Sequence, residues 1–182
     1  MDKKPIVGFD VDDVVLNLMP NWLKYYNEEF NDNVKKEDII EWNMTPFIKP
    51  EAKDRIFEYI EEENIFRTAE PVEDAVESIL EIMSWNNCRI IYITAGDPNR
   101  VKFNWLTDRG ILTDKDNFVA CYDKSLVRGI SLLDDKYSSV NTFLGKGYLF
   151  DQPWNRSFKF SNRIHSWKQY MERIREDLNE AR

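Results

Sequence analysis

Short apolar runs alternate with helical patterns along most of this chain, and that alternation restricts the fold more than any other feature. Residues 5–9 (PIVGF), 88–94 (CRIIYIT), 117–121 (NFVAC), 130–133 (ISLL) and 147–150 (GYLF) have the length and composition of strands. Between them, Val72, Ala75, Val76, Ile79, Leu80 and Met83 recur at helical spacing. Residues 98–109 read as a helix between Asp97-Pro98 and Gly110, and a short helix lies near 137–144. A last helix carries Ile164, Trp167, Met171, Ile174 and Leu178. The pattern predicts an α/β fold, a Rossmann-like parallel sheet with helices on both faces. One segment does not fit. Residues 14–70 are too long for a single crossover, and they hold a helix from Pro20 (Trp22, Leu23, Tyr26, Phe30) and another near 50–62. They are read as a small helical cap inserted after the first strand, on a core built from 1–13 and 71–182.

With 182 residues, 42% of them hydrophobic and 14% aromatic, the chain can bury a real core. A net charge of −8 argues against binding to a nucleic-acid polymer or an anionic membrane, but leaves room for a small phosphorylated substrate at a local positive site. Cys88 and Cys121 fit neither a metal spacing nor a disulfide framework and read as buried free thiols. There is no long apolar segment and no targeting pattern, so a cytoplasmic protein is expected.

The first strand ends in Asp10-Val11-Asp12-Asp13. Carboxylates this close repel one another and lose hydration where a strand leaves the core. Either the run is a solvated turn, or something positive sits there. In an open α/β sheet, function gathers beyond the carboxyl ends of the strands. There the second strand supplies Thr94, the fourth Asp134-Asp135, and Lys124 follows the third within YDKSLV. Clustered carboxylates suit Mg²⁺, which takes a substrate phosphate as a further ligand. An aspartate beside a bound phosphate can act as a nucleophile, and if the strand breaks into a turn after Asp10, Asp12 can serve as general acid and then base. Thr94, with the adjoining Ala95, and Lys124 would hold the phosphoryl oxygens. Each piece has a plainer explanation, since acidic residues form turns and cap helices, and a lone Lys is usually solvated. The case rests on all four standing in order at successive strand ends.

That ordered set resembles the haloacid-dehalogenase superfamily of phosphotransferases, whose four motifs match Asp10/Asp12, Thr94, Lys124 and Asp134/Asp135. Within it, the chain looks like the 5'(3')-deoxyribonucleotidases. WLKYYNEEF and DIIEW are similar to segments of that family's cap, NIFRTAEPVEDAVESILEI to the return to the core, and DKSLVRGISLLDD to the Lys-to-acidic-pair segment. LFDQPWN is similar to a late loop, and RIHSW at 163–167 to the C-terminal helix. The resemblance implies a Mg²⁺-dependent phosphomonoesterase acting on nucleoside monophosphates through an aspartyl-phosphate, with a cap of the C1 type and a deoxyribose preference. Carried over by position, Asp10 would be the nucleophile and Asp12 the general acid and base. It implies metal ligands among Asp10, Asp12 (through its carbonyl), Asp134 and Asp135, without deciding between the last two. Leu18 and Trp42 would face the sugar and base. Asp13 stands where Gly is general, Leu18 where an aromatic is expected, and Lys136, also near the pocket, where Arg is usual.

Two other readings remain. A sugar phosphate or another small ester could be the substrate, because fold does not fix substrate. A phosphate- or Mg²⁺-binding module, or a phospho-accepting signalling domain, would share the acids, Thr and Lys, though its acceptor would end a middle strand. An apolar late helix could form the face of a homodimer. His165 falls on the final helix, outside the expected crevice. Trp22, Trp105 and Trp167 read as core, whereas Trp42 and Trp154 are the better pocket candidates.

Overall fold

The structure, a computed structural model, describes residues 4–180. Six parallel strands form one sheet: β1 (Ile6–Phe9), β2 (Arg89–Thr94), β3 (Phe118–Ala120), β4 (Ser131–Asp134), β5 (Lys146–Phe150) and β6 (Arg163–Ile164). Their order is β3-β2-β1-β4-β5-β6. The chain therefore runs outward from β1 through β2 to β3, then returns to the other side of β1 at β4. That reversal places the topological crevice between the carboxyl ends of β1 and β4.

Both faces of the sheet are covered, as the near-continuous apolar strands require. Val7 and Phe9 of β1, Ile90 and Tyr92 of β2, Leu133 of β4 and Tyr148 of β5 belong to the larger cluster. It is closed by α4 (Ala75–Ser84), α5 (Asn99–Asp108) and α7 (Trp167–Glu180). Phe9 packs edge-on against Trp167 and Tyr170, with ring centroids 5.1 and 5.8 Å apart. The alternate residues Ile91, Ile93 and Leu132 face a smaller cluster completed by Phe143, just after α6 (Tyr137–Thr142). Gly147 lets this helix lie close on β5, because a Cβ there would stand 2.2 Å from the Val140 carbonyl oxygen.

Between β1 and α4 the chain forms α1 (Leu18–Phe30), α2 (Arg55–Glu62) and α3 (Asn64–Arg67) with short 3-10 turns. Its base is closed by backbone hydrogen bonds from Asn17 to Glu70 and from Val72 to Val15, at 2.9 and 2.8 Å.

Several expectations need correction. The pattern at 50–62 is a 3-10 turn followed by α2, which Glu63 ends in a left-handed conformation. Residues 163–164 are not helical but add β6 to the sheet, so Ile164 is a strand residue and His165 precedes the final helix. A two-residue strand is too short to show alternation. The apolar residues of α7 pack within the protein, where Trp167, Tyr170, Met171, Ile174 and Leu178 are buried. Cys88 and Cys121 are free but only half-buried. Among the described residues, no helix is long and apolar enough to cross a membrane.

Candidate active site

The crevice at the β1/β4 boundary opens into a cavity of about 450 Å³. Asp10 follows the last residue of β1, and its N–H continues the ladder by donating to the Leu133 carbonyl at 2.9 Å. Its carboxylate is thereby aimed at the end of β4. There the Lys124 ammonium lies 2.6 Å from Asp10 Oδ1 and 2.6 Å from Asp134 Oδ2. All three groups are buried. Burial alone would depress the Lys124 pKa, but the two carboxylates outweigh it and hold the ammonium above its usual value. Asp134 is pushed up to about 6, chiefly by burial and against the pull of Lys124.

The strand breaks after Asp10 into a turn. Asp12 is thereby paired with a different cation, the Lys102 ammonium, which donates to its Oδ2 at 2.6 Å. The same ammonium reaches Thr94 Oγ1 at 3.1 Å and the Ala95 carbonyl at 3.4 Å. Burial raises the Asp12 carboxyl above its ordinary range, with Lys102 working against that shift and Asp10 adding to it. Asp13 adopts φ +55°, and burial pushes its carboxyl up to about 7.

The acidic pair divides its work. Both oxygens of Asp134 are engaged, Oδ2 by Lys124 and Oδ1 by the Lys136 N–H at 2.8 Å. Asp135 accepts from the Trp154 indole at Oδ2, 2.8 Å away, while its Oδ1 is buried without a partner. Burial, and then its neighbour Asp134, raise Asp135 well above the ordinary carboxylate range. One oxygen each of Asp10, Asp134 and Asp135 lie within 4.8 Å of one another. Six aspartates and only three lysines line the cavity, so acidic groups outnumber the cations that could balance them. An orphaned carboxylate oxygen and a surplus of carboxylates are what a divalent cation with oxygen ligands would satisfy. The donor set fits Mg²⁺.

All of the sequence-derived candidates lie in or against this cavity, but not on equal terms. Asp10, Asp12, Ala95, Lys124, Asp134 and Asp135 line it, and so do Leu18, Trp42 and Lys136. Thr94 is fully buried behind the wall, its hydroxyl engaged by Lys102. Trp42 is exposed at the mouth with the Lys136 ammonium 5.0 Å from its ring centroid. Trp22 packs against the core, as expected, and also lines the cavity, with its indole N–H donated to the Ile56 carbonyl. His165 stands outside, its imidazole 3.7 Å from Asp151.

Lys102 is a site residue that the strand-end pattern does not single out. A signal for it exists in the sequence, because it lies three and four positions before Trp105 and Leu106, on the buried stripe of α5. A lysine on an apolar stripe needs a buried anion.

A family model described as "5' nucleotidase, deoxy (Pyrimidine), cytosolic type C protein" matches residues 4–178. The 5'(3')-deoxyribonucleotidase of Clostridium acetobutylicum is 29% identical over 164 residues, covering 90% of this chain and 91% of that protein. The 5'(3')-deoxyribonucleotidase of Bacillus subtilis is 23% identical, covering 91% of this chain and 96% of its own. Among solved structures, a haloacid dehalogenase-like hydrolase from Streptococcus pneumoniae superposes with a TM-score of 0.66 at 10% identity. The match covers 96% of this chain and all of that one.

Proposed function

Because this chain belongs to the family of cytosolic type C 5' nucleotidases and is a phosphatase of the haloacid-dehalogenase fold, we propose that it hydrolyses deoxynucleoside 5'- or 3'-monophosphates with Mg²⁺ as cofactor. The observation that carries the reading is the placement of two differently paired carboxylates at one strand end. Asp10 is held by Lys124 beside Asp134, and Asp12 is held separately by Lys102.

In the proposed reaction an Asp10 oxygen attacks the phosphorus, and the bond to the leaving oxygen breaks. Asp12, whose raised pKa suits a proton donor, delivers its proton to that oxygen. The aspartyl-phosphate is then cleaved by a water whose proton returns to Asp12. Lys124 neutralises charge on the phosphoryl oxygens. Asp10, Asp135 through its unpartnered Oδ1, Asp134 and the Asp12 carbonyl would hold the cation, which offsets phosphate charge.

Residues 14–70 are proposed as a cap over the cavity. Aromatic and apolar groups at its wall, Trp22, Trp42, Phe57, Ile60 and Phe66, favour a nucleobase over a bare sugar phosphate. The test is phosphate release from a panel of nucleoside 5'- and 3'-monophosphates and sugar phosphates, with Mg²⁺ and with EDTA. Mg²⁺-dependent release from deoxynucleotides is expected. Release from sugar phosphates alone would overturn the substrate assignment.

A further inference from the structure

Asp13 has no part in the chemistry above, yet it is buried at the cavity wall in a costly conformation. A non-glycine residue at φ +55° is held in the left-handed region at a cost in backbone energy that other contacts must offset. The compensation is visible. Asp13 Oδ1 accepts from the Met19 N–H at 2.9 Å, one of the otherwise unpaired amides in the first turn of α1. Asn17, the residue at the cap position, makes no side-chain bond to the helix, and the first turn holds no acidic residue of its own.

Asp13 is itself held from two further directions. Its N–H donates to the Leu16 carbonyl at 2.7 Å, and its carbonyl accepts from the Gln152 side chain at 2.6 Å. It therefore joins three pieces: the loop bearing Asp10 and Asp12, the start of α1, and the loop after β5. The residues docked by this contact, Leu18 and Met19, line the cavity, and Trp22 lines it one turn further on.

We propose that Asp13 is a positioning residue. It fixes the first turn of α1 to the nucleophile loop and so sets the wall against which the sugar and base of the substrate lie. This rests on the nucleotidase reading given above. A helix cap that only stabilises the fold would lower thermal stability without favouring one substrate over another. A positioning contact acts on substrates that reach the wall and spares those that do not.

The test compares Asp13→Gly and Asp13→Asn in the full chain. Glycine accepts the left-handed backbone but removes the acceptor. Asparagine tolerates the backbone and keeps an oxygen for the Met19 N–H. Two substrates are used: 2'-deoxyuridine 5'-monophosphate, and acetyl phosphate, which has neither sugar nor base. Asp13→Gly is expected to raise KM for the nucleotide about five- to tenfold with kcat nearly unchanged, the loss matching one buried hydrogen bond. Acetyl phosphate kinetics should stay at the wild-type level, and amide exchange at Met19 should accelerate. Asp13→Asn should restore all of these. The proposal is overturned if Asp13→Gly leaves the nucleotide KM unchanged, if both substrates suffer equally, or if Asp13→Asn is as impaired as glycine. Failure of the wild-type protein to cleave any nucleotide would sink the functional reading instead, and Met19 exchange would then judge the tether alone.

Discussion

The Lys102 ammonium lies 2.6 Å from Asp12 Oδ2, although 90 residues separate the two in the chain. Lys102 is only 1% exposed and has no solvent to stabilise its charge, so it and Asp12 depend on each other. The contact fixes Asp12 from α5 while Asp10 is fixed from β4, and it keeps the two carboxylates on separate cations.

Replacing Lys102 with Met should therefore damage proton transfer more than binding. A fall in kcat of about a hundredfold to a thousandfold is expected, with KM changed far less. Lys102 lowers the Asp12 pKa, so its removal should also move the corresponding limb of the kcat pH profile upward. An unshifted profile with a raised KM would show instead that Lys102 serves the substrate phosphate.

Asp10→Asn should reduce turnover by about a thousandfold or more, because among the described residues no other carboxylate at the end of β1 pairs with Lys124. The fold should survive, since Lys124 keeps Asp134 as partner. Single-turnover assays with acid quench would detect any remaining phosphoenzyme, and its persistence in Asp10→Asn would exclude Asp10 as the nucleophile.

Trp154 offers a test of the cation site that needs no turnover. Its indole holds Asp135 Oδ2, while Oδ1 is left buried and without a partner. Trp154→Phe should weaken Mg²⁺ binding roughly tenfold to a hundredfold, as loss of an outer hydrogen bond commonly does. Titration calorimetry on the purified protein would measure it. Equal affinity in wild type and variant would show that Asp135 does not need this support.

The stability of the metal-free protein should depend on pH through Asp13. Its folded-state pKa, about 7, lies above the ordinary value of 3.8. Between those values the folded protein retains a proton that the unfolded chain releases, so the contribution is full at low pH and is lost as pH rises through about 7. Asp13→Asn cannot titrate there. In EDTA its stability relative to wild type should climb across that window by up to about 4 kcal/mol. Denaturant melts at several pH values would show this, and parallel curves would contradict it.

Most of the frame is legible in the amino-acid sequence, for a local reason. Strand and helix periodicity are set by neighbouring residues, so β1 to β5, α1 and α4 to α7 show in the sequence within a few positions. The motif residues are legible because each sits at a strand end or, for Lys124, a few residues beyond one, positions the pattern itself marks. The two-residue β6 and the division of residues 50–67 into a 3-10 turn, α2 and α3 carry no comparable periodic signal.

Partnerships between distant residues belong to the tertiary structure alone. Lys124 can be assigned to phosphate from its order in the chain, but its shared hold on Asp10 and Asp134 cannot. Lys102, Trp154 and Asp13 act through contacts 90, 19 and 6 residues away, and a hydrogen bond leaves no trace in the spacing of its partners at such ranges. The open choice within the acidic pair shows the same division. Two adjacent aspartates are chemically identical in sequence. Only packing, which fills both oxygens of Asp134 and leaves Asp135 Oδ1 bare, makes them different.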